Sequence, residues 1–582
     1  MARTYDRFLR QRLSRRRLLA GASGTALGAA ALAACGGGGS SESVTSGTPA
    51  PSGTATPAPE VITKDGVLHG SHTTVLPSLN VFGAAALGSA LTFGFSVFDH
   101  LWYVPLDTQE VELFLATNIE NPDEMGLEII VSMQEAFFHD KPPVNGRQVL
   151  ASDVKASYDA FAADTLAPGH GWFNDFMESV EAPDDLTVII RQKRPYAWVF
   201  HSAGAGSPAW SSILPEETLP TINPDGTLGD GTYDLSKDLI GSGRLKIVEN
   251  RSGEFFRLER HDKWRVEGEP FLAAVESSLI TEPALRQAAF RARDLDSVPF
   301  SNKLESDQMV DQLGDDIYIT SDLSRSYHTI QLSLKDTPFD NINVRKAVRL
   351  AINRQDLILG VSAGDPEGGV FSGPVPPTQS AFAVSEEEEY FRHDPAEARA
   401  LLEEAAFPFD REFTLKYPSS ETQEKRATLL KEQFGAVGIK VRIEGEDLLT
   451  KWLPQTLQTG AFEMTSYTQL PYDDPTFPLV FYTTHSALGA EEPRGRNNMD
   501  FYDEEITAAA DAVDAELNVE ARNELVKDAV RLIMAKEAPM INLYSSVTYT
   551  ARWNWYKGLV IGRGSYGGFN GRSWIDTALR GS

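Results

Sequence analysis

Gly562-Arg-Gly-Ser-Tyr-Gly567 has the form G-x-G-x-x-G, the glycine pattern that lets a backbone approach a dinucleotide pyrophosphate. It lies too near the C-terminus for the helix and second strand such a site needs, so it reads as a loop. His69-Gly-Ser-His72 offers two imidazoles to a metal, but two histidines in one short stretch read as polar surface. Glu386 to Glu389 is a run of four carboxylates, which reads as a solvated face rather than a calcium site. The sequence holds no G-x-S-x-G, no H-E-x-x-H and no P-loop. With 82 acidic residues, a chance carboxylate pair keeps a hydrolase open as the rival reading. The first expectation is a protein with no catalytic residues, no metal and no cofactor.

The single cysteine, Cys35, rules out an intramolecular disulfide framework. Its setting gives it another use. Ser14-Arg15-Arg16-Arg17-Leu18-Leu19 precedes an Ala/Gly/Leu run to Ala34, too short and small-residued for a good spanning helix. A basic region, an apolar region and then small residues make a signal peptide. Its S-R-R-x-L-L form resembles the twin-arginine export signal, with an Arg-rich Sec signal as the alternative. Leu32-Ala33-Ala34-Cys35 looks like a bacterial lipobox, which implies cleavage before Cys35 and lipidation there. Residues 36–60 are rich in Gly, Ser, Thr, Pro and Ala and read as a disordered tether. The formal charge of -29 includes a net positive N-terminus, so the remainder is more acidic still. Such a surface repels nucleic acid and anionic headgroups, and its plain use is solubility.

The elements that would position a site follow. Val344, Ala347, Val348, Ala351 and Ile352 fall on one helical face, with Asn343 as cap and Arg345, Lys346 and Arg349 off the face. Ser152 caps a helix whose apolar face is Val154, Tyr158 and Phe161. Asp184-Asp185 between apolar strands is a hairpin turn. Asp394, Pro395 and Glu397 start another helix through a capping box. The strand at Phe413–Tyr417, the helix from Thr422 to Val437 with Gly438 behind it, and the strand at Ile439–Ile443 make a parallel β-α-β unit. Phe462–Tyr467 is a further strand.

Several stretches carry a family likeness in a fixed order. They include Phe137-Phe-His-Asp140 with Pro143-Val144 and Asp153-Val-Lys-Ala-Ser-Tyr158, then Ala182-Pro-Asp-Asp-Leu-Thr-Val188. Gly241-Ser-Gly243 follows, with Arg244-Leu245 where Pro-Tyr is usual, then Glu282–Asp296, with Arg293 for a glycine. Asp340-Asn-Ile-Asn-Val-Arg-Lys-Ala347 through Ala351-Ile-Asn-Arg354, Asp394–Ala406 (Ala406 for a glycine), and Met534–Tyr544 complete the series. Together they resemble the extracytoplasmic solute-binding proteins, family 5, of ABC importers (the oligopeptide- and dipeptide-binding group), from about Val61 to about Leu559.

The resemblance implies an α/β fold of the periplasmic-binding-protein type II, two lobes around a hinged cleft with an extra subdomain in the first. The expected domains are 1–35 signal and lipobox, 36–60 tether, 61–325 first lobe with the subdomain at about 105–230, 326–530 second lobe, and 531–582 returning to the first lobe. It implies a cleft faced by Thr74, Val75 and Trp172 from the first lobe and by Trp452, Tyr467, Thr468, Gln469, Leu470, Tyr472 and Asp473 from the second. Core packing or plain loop exposure is the alternative for each. Peptide binders of this family hold the ligand's amino group with an Asp four residues before the Pro of an acidic-Pro pair. Here Pro471 stands there, which puts amine recognition by a neighbouring Asp473 in question and leaves sugars, metal complexes and other solutes open. The implied partners are a small solute or peptide, ABC permease subunits, and the outer face of the cytoplasmic membrane through a lipid on Cys35. The protein would act as a monomer without nucleic acid. A sensor's binding head remains a third reading.

Overall fold

The computed structural model describes residues 62–73, 75–76, 78–83, 87–104, 111–123, 125–164, 170–201, 211–469, 475–484, 497–558 and 572–581. Cys35, the signal and tether, Gly562–Gly567, Thr74, Leu470, Pro471, Tyr472 and Asp473 lie outside the described residues.

Strand β1 (Val67–His72) opens the described chain. Next, β2 (Ala116–Glu120), β3 (Glu128–Met133), β4 (Met177–Asp184) and β5 (Thr187–Gln192) form an antiparallel sheet in the order β2–β3–β5–β4. Helix α1 (Ala151–Ala163) packs on it, burying Val154, Tyr158 and Phe161 as their spacing predicts. The start of α1 departs from expectation. Leu150, not Ser152, holds the cap position, and the buried Asp153 carboxylate accepts the Leu150 N–H at 2.9 Å. Asp153 also takes two hydrogen bonds from Arg147, at 2.8 and 2.6 Å, so a charged fork does what a serine hydroxyl was expected to do. Asp184 closes the β4–β5 hairpin by accepting the Leu186 N–H at 2.9 Å. Strands β6 (Leu245–Arg251), β7 (Phe255–Arg260) and β8 (Ala274–Leu279) then return to β1, giving the order β1–β8–β7–β6 with β1 parallel to β8.

Helix α2 (Pro283–Arg291), β9 (Ser297–Phe300), α3 (Lys303–Leu313) and β10 (Ile317–Leu323) follow. The chain continues through β11 (Tyr327–Leu332), α4 (Ile342–Ala351), α5 (Arg354–Val361), β12 (Gly369–Phe371) and α6 (Pro395–Glu404). Then come β13 (Glu412–Pro418), α7 (Glu421–Ala436), β14 (Lys440–Glu446), β15 (Met464–Gln469), α8 (Glu504–Ala515), α9 (Val519–Ala535) and β16 (Met540–Trp553). One eight-stranded sheet runs β9–β16–β11–β15–β13–β14, with β10 and β12 also paired to β16.

Strand β16 is the long one, 14 residues. Its first part pairs with β11 and β12, its second with β10 and β9. The hydrophobic side chains divide near the same place, although Met540 and Tyr327 belong to the larger core. Ile330, Leu332, Val344, Val348, Leu415, Phe434, Met464, Ile541 and Leu543 belong to one core. Val298, Ile317, Tyr549 and Trp553 belong to a larger one, together with the apolar faces of α1, α8 and α9. The two cores are thus joined along β16 and across the Ser324–Ser326 step between β10 and β11. There the Ser324 N–H donates to the Ser546 carbonyl at 2.8 Å.

Helix α4 buries Val344, Ala347, Val348 and Ala351 as expected, but it is capped by Asn341, whose side chain accepts the Asn343 N–H at 2.9 Å, not by Asn343. Arg345 and Arg349, expected off the buried face, are 7 % and 4 % exposed. The chain returning through Lys536–Ala538 covers that side of the helix, and the two guanidiniums bond to it. At α6, Asp394 caps as expected, accepting the Glu397 N–H at 2.8 Å.

Ala406 just after α6 and Arg293 just after α2 both have positive φ, +51° and +67°. At both, glycine was expected by resemblance and another residue stands. An L side chain in this left-handed region costs about 1–2 kcal/mol. Arg293 recovers part of that by placing its guanidinium over Trp553 and Trp555, 5.3 and 5.5 Å from the ring centres. Ala406 has no such side chain. Ala406→Gly should therefore raise stability by about 1 kcal/mol, read as a higher urea midpoint at unchanged slope.

Candidate functional site

Strands β13, β14 and β15 are mutually parallel in the order β15–β13–β14. Ligands of open α/β sheets gather at the carboxyl ends of such strands. Here that edge lies next to the two chain crossings between the cores, because β15 ends at Gln469 opposite Tyr327, where β11 begins.

The segment after β14 is a ten-residue π-helix, Leu448–Leu457, with Pro454 inside it. Asp447 starts it by accepting the N–H groups of Leu449 and Thr450 at 3.2 and 2.9 Å. Glu446 anchors it from beneath, accepting from Thr456 at 2.6 Å and pairing with Lys451 at 2.9 Å. Burial pushes the Glu446 carboxyl up, but Thr456 and the two lysines outweigh it and hold the group below the usual glutamate range. The wide π turn sets Trp452 against Tyr467, 5.0 Å between ring centres, and the indole N–H donates to the Thr465 hydroxyl at 3.1 Å. The Tyr467 hydroxyl accepts from the Gln331 amide at 3.0 Å. Trp452, Tyr467 and Gln469 are buried and Thr468 half-buried.

A chain of polar groups crosses the other face of the same edge. Arg426 on α7 donates through Nη1 to the Gln423 carbonyl oxygen. Since a guanidinium only donates, that end of Gln423 is fixed as the acceptor, and its amide N–H donates to Thr468 Oγ1 at 3.1 Å. Thr468 Oγ1 also meets His328 Nδ1 at 2.9 Å, and His328 Nε2 meets Ser546 Oγ at 2.7 Å. Four elements, α7, β15, β11 and β16, are thereby tied together beside the crossing.

Ser546 and His328 have the spacing of a nucleophile and its base. The electrostatics point the other way. In a triad the third member is an anion that supports the imidazolium. Here it is Thr468, backed through Gln423 by a cation. Burial, and then the Arg426 charge, hold the His328 ring well below the usual histidine range. The ring stays neutral, with a cation rather than an anion behind it, which disfavours the imidazolium a base would have to form. The arrangement can bind and orient a polar solute.

Of the expected site residues, the structure joins Trp452 to Tyr467 and brings Thr468 into the His328 chain. Val75 is 47 % exposed beside the β6–β7 turn, and Trp172 packs edge-on against Phe173 at 4.7 Å. Among the described residues no hydrogen bond or ring pair links either to the Trp452–Thr468 group. His69 and His72, spaced three apart on β1, bond separately to Arg580 and Ser277, at 3.0 and 2.9 Å. Among the described residues no group of three or more His, Cys, Asp or Glu is placed to hold a metal. His328, Gln423, Arg426 and Ser546 were not foreseen. One signal was present: Gln423 and Arg426 lie on the helical stripe that continues through Ala427, Leu430 and Phe434 into the core, so α7 buries polar groups.

A second buried polar cluster stabilises the larger core. The Gly241 N–H donates to His139 Nδ1 at 3.3 Å, so the ring proton sits on Nε2 and goes to the Gly243 carbonyl at 3.1 Å. Burial, and then His261, hold His139 well below the usual histidine range. Burial also takes His201 down to about 3. His139, His201 and His328 are therefore neutral in the fold, while the unfolded chain protonates them near pH 6.5. Stability is full above that pH and falls as pH drops, by about 1.4 kcal/mol per unit for each ring until its folded pKa is reached. Glu387 opposes them, since burial raises it to about 7 and it loses stability as pH climbs from 4.5 to 7. Three rings outweigh one carboxyl, so urea midpoints should be lower at pH 5.5 than at 7.5.

Residues 110–488 match the family model for bacterial extracellular solute-binding proteins, family 5. The oligopeptide-binding protein AppA of Bacillus subtilis is 26 % identical over 394 residues, 65 % of this chain and 68 % of that protein. Heme-binding protein A of Haemophilus influenzae is 25 % identical over 419 residues, 69 % of this chain and 70 % of that one. Among solved structures, AppA from Bacillus subtilis in complex with a nonapeptide superposes with a TM-score of 0.73 at 19 % identity, covering 88 % of this chain and 100 % of its own. The dipeptide-binding protein of Pseudoalteromonas sp. SM9913 with Met-Leu gives 0.72 at 16 % identity, with the same coverage. The fold is the α/β type II periplasmic-binding-protein fold. With the family model spanning most of its length, the chain belongs to the bacterial extracellular solute-binding proteins, family 5.

Proposed function

We propose that this protein captures a peptide, or a solute of peptide size, outside the cytoplasmic membrane and hands it to an ABC import permease. The observation that carries the reading is the placement of the aromatic and polar edge. Trp452, Tyr467 and the Thr468–His328 chain stand beside β16, which both cores share, and next to the start of β11 that follows the Ser324–Ser326 step. A solute held there gains contacts that differ between an open and a closed arrangement, and only such a difference can drive closure. Relatives named for oligopeptides and for glutathione, and solved neighbours holding a nonapeptide and a dipeptide, favour a peptide. Residues 1–35 would export the chain and anchor it through a lipid on Cys35, with residues 36–60 as a leash and the head acting as a monomer. The cleft would be completed by Leu470, Tyr472 and Asp473, and by Thr74, Val75 and Trp172 from the other side.

The test is the unfolding midpoint of the protein against panels of peptides, sugars and metal chelates. A ligand present at 100 times its Kd should add about 2.7 kcal/mol. Peptides alone should shift the wild type, and Trp452→Ala should weaken that shift. A shift with sugars or chelates only would end the peptide reading. Consumption of a hit during the assay would end the transport reading.

A further inference from the structure

Tyr549 and Asp365 meet across the divide between the two cores. Tyr549 lies on the second half of β16 and is buried in the larger core. Asp365 lies in the loop between α5 and β12, and that loop is fastened to α5, whose Leu357 and Ile358 belong to the smaller core. The Ser362 N–H donates to the Ile358 carbonyl and the Gly364 N–H to the Leu359 carbonyl, both at 2.8 Å. The Tyr549 hydroxyl donates to Asp365 Oδ2 at 2.7 Å, a bond between residues 184 positions apart.

The loop is built to aim this carboxylate. Asp365 Oδ1 accepts the Glu367 N–H at 2.9 Å, which leaves Oδ2 to face the phenol. Ala363 holds φ at +54°, a left-handed conformation that strains a residue with a Cβ. Strain of this kind persists where the surrounding structure imposes the geometry. Burial first, and then Asp365, hold the Tyr549 phenol above the usual tyrosine range, so it keeps the proton it donates. A hydrogen bond to a charged acceptor is stronger than one between neutral groups. On α3, Lys303 pairs with Asp307 at 2.8 Å; Asp307 first, and then Asp365 and Glu367, hold it above the usual lysine range.

The direction in which the bond acts follows from the strand. No bulge interrupts β16 between Tyr544 and Trp553. Ser546 and Tyr549 are three residues apart, so their side chains leave opposite faces. Ser546 faces His328 and the polar chain of the candidate site, at 2.7 Å. Tyr549 and its bond are therefore on the far face. Bending about β16 that narrows the site's side widens the other, and the bond must lengthen.

We propose that the Tyr549–Asp365 hydrogen bond is a latch on the back of the hinge, which holds the two cores in the open arrangement and breaks when a solute closes them. The inference rests on the capture reading and adds the contact that sets how hard closure is. A solute's measured affinity is then its intrinsic affinity reduced by the small fraction of molecules able to close.

Small-angle X-ray scattering and calorimetry on the full chain test it, with wild type, Tyr549→Phe, Asp365→Ala and the double variant. Without ligand, Tyr549→Phe should have a smaller radius of gyration than wild type. Trialanine should bind Tyr549→Phe about tenfold tighter. Asp365→Ala should do the same, and the double variant should gain no more than either single change. An unchanged radius and unchanged affinity with a lower urea midpoint make the bond a structural tie and overturn the proposal. A larger radius or weaker binding in Tyr549→Phe overturns it too. If trialanine binds none of the four proteins, the peptide reading loses its support and the radius alone decides the latch: a smaller one keeps it, an unchanged one ends it.

Discussion

Gly241→Ala should cost about 4 kcal/mol and leave little folded protein at 37 °C, measured by urea denaturation and by soluble yield. The reason is space. A Cβ at Gly241 would fall well inside van der Waals contact with the Val97 carbonyl, and one at Gly243 would lie 2.6 Å from the Ser96 oxygen. These are backbone atoms with commitments of their own. The Val97 carbonyl accepts the Gly243 N–H at 2.9 Å and the Ser96 carbonyl accepts the Leu245 N–H at 2.9 Å. Gly241 also accepts the His139 backbone N–H on its carbonyl at 2.8 Å, so a shift that made room would break the bonds that hold His139 in place. Gly435→Ala is the control. That glycine lies in α7 with nothing within 4 Å of the point a methyl carbon would occupy, and the change should add about 0.5–1 kcal/mol.

Glu537→Gln should cost about 3–5 kcal/mol, read as a drop in the urea midpoint. Arg349 meets Glu537 through two bonds, Nε at 2.7 Å and Nη2 at 2.6 Å, and gives Nη1 to the Tyr390 carbonyl at 2.9 Å. The pair is almost fully enclosed, so the variant leaves a buried guanidinium facing a neutral amide. Arg345 beside it donates to the Glu537, Phe339 and Asp340 carbonyls. Together the two arginines fasten α4 to the segment that leads into β16. Asp159→Asn offers the comparison. Its partner Lys155 is 46 % exposed, and loss of that pair should stay within about 0.5 kcal/mol.

Local pattern carried most of the fold. The apolar stripe of α4, the Asp394 cap, the Asp184 turn and the parallel β13–α7–β14 unit all depend on neighbours a few residues away, and such signals survive in one sequence. Arg345 and Arg349 show where that stops. Within α4 they fall off the apolar stripe, and nothing nearby marks them as buried, because the chain that covers them arrives almost two hundred residues later. Ser152 failed as a cap for a related reason, since Arg147 and Asp153 made a stronger alternative. In the candidate site, Trp452 and Tyr467 were named by resemblance to the family. His328 and Ser546 were not, because a histidine and a serine on two strands acquire meaning only once β11 and β16 are seen side by side.

Strand β16 also governs the order in which the molecule can be finished. It is the partner of β9, β10, β11 and β12, and it lies at residues 540–553. During synthesis those four strands leave the ribosome long before it does. Each waits with unpaired backbone groups, an open edge of the kind that invites aggregation. Both cores therefore close at the same late moment, when one C-terminal ribbon slides into place. Nascent chains released before residue 540 should be insoluble and protease-sensitive in both halves at once, whereas chains ending just after Ser582 leaves the tunnel should become resistant in a single step.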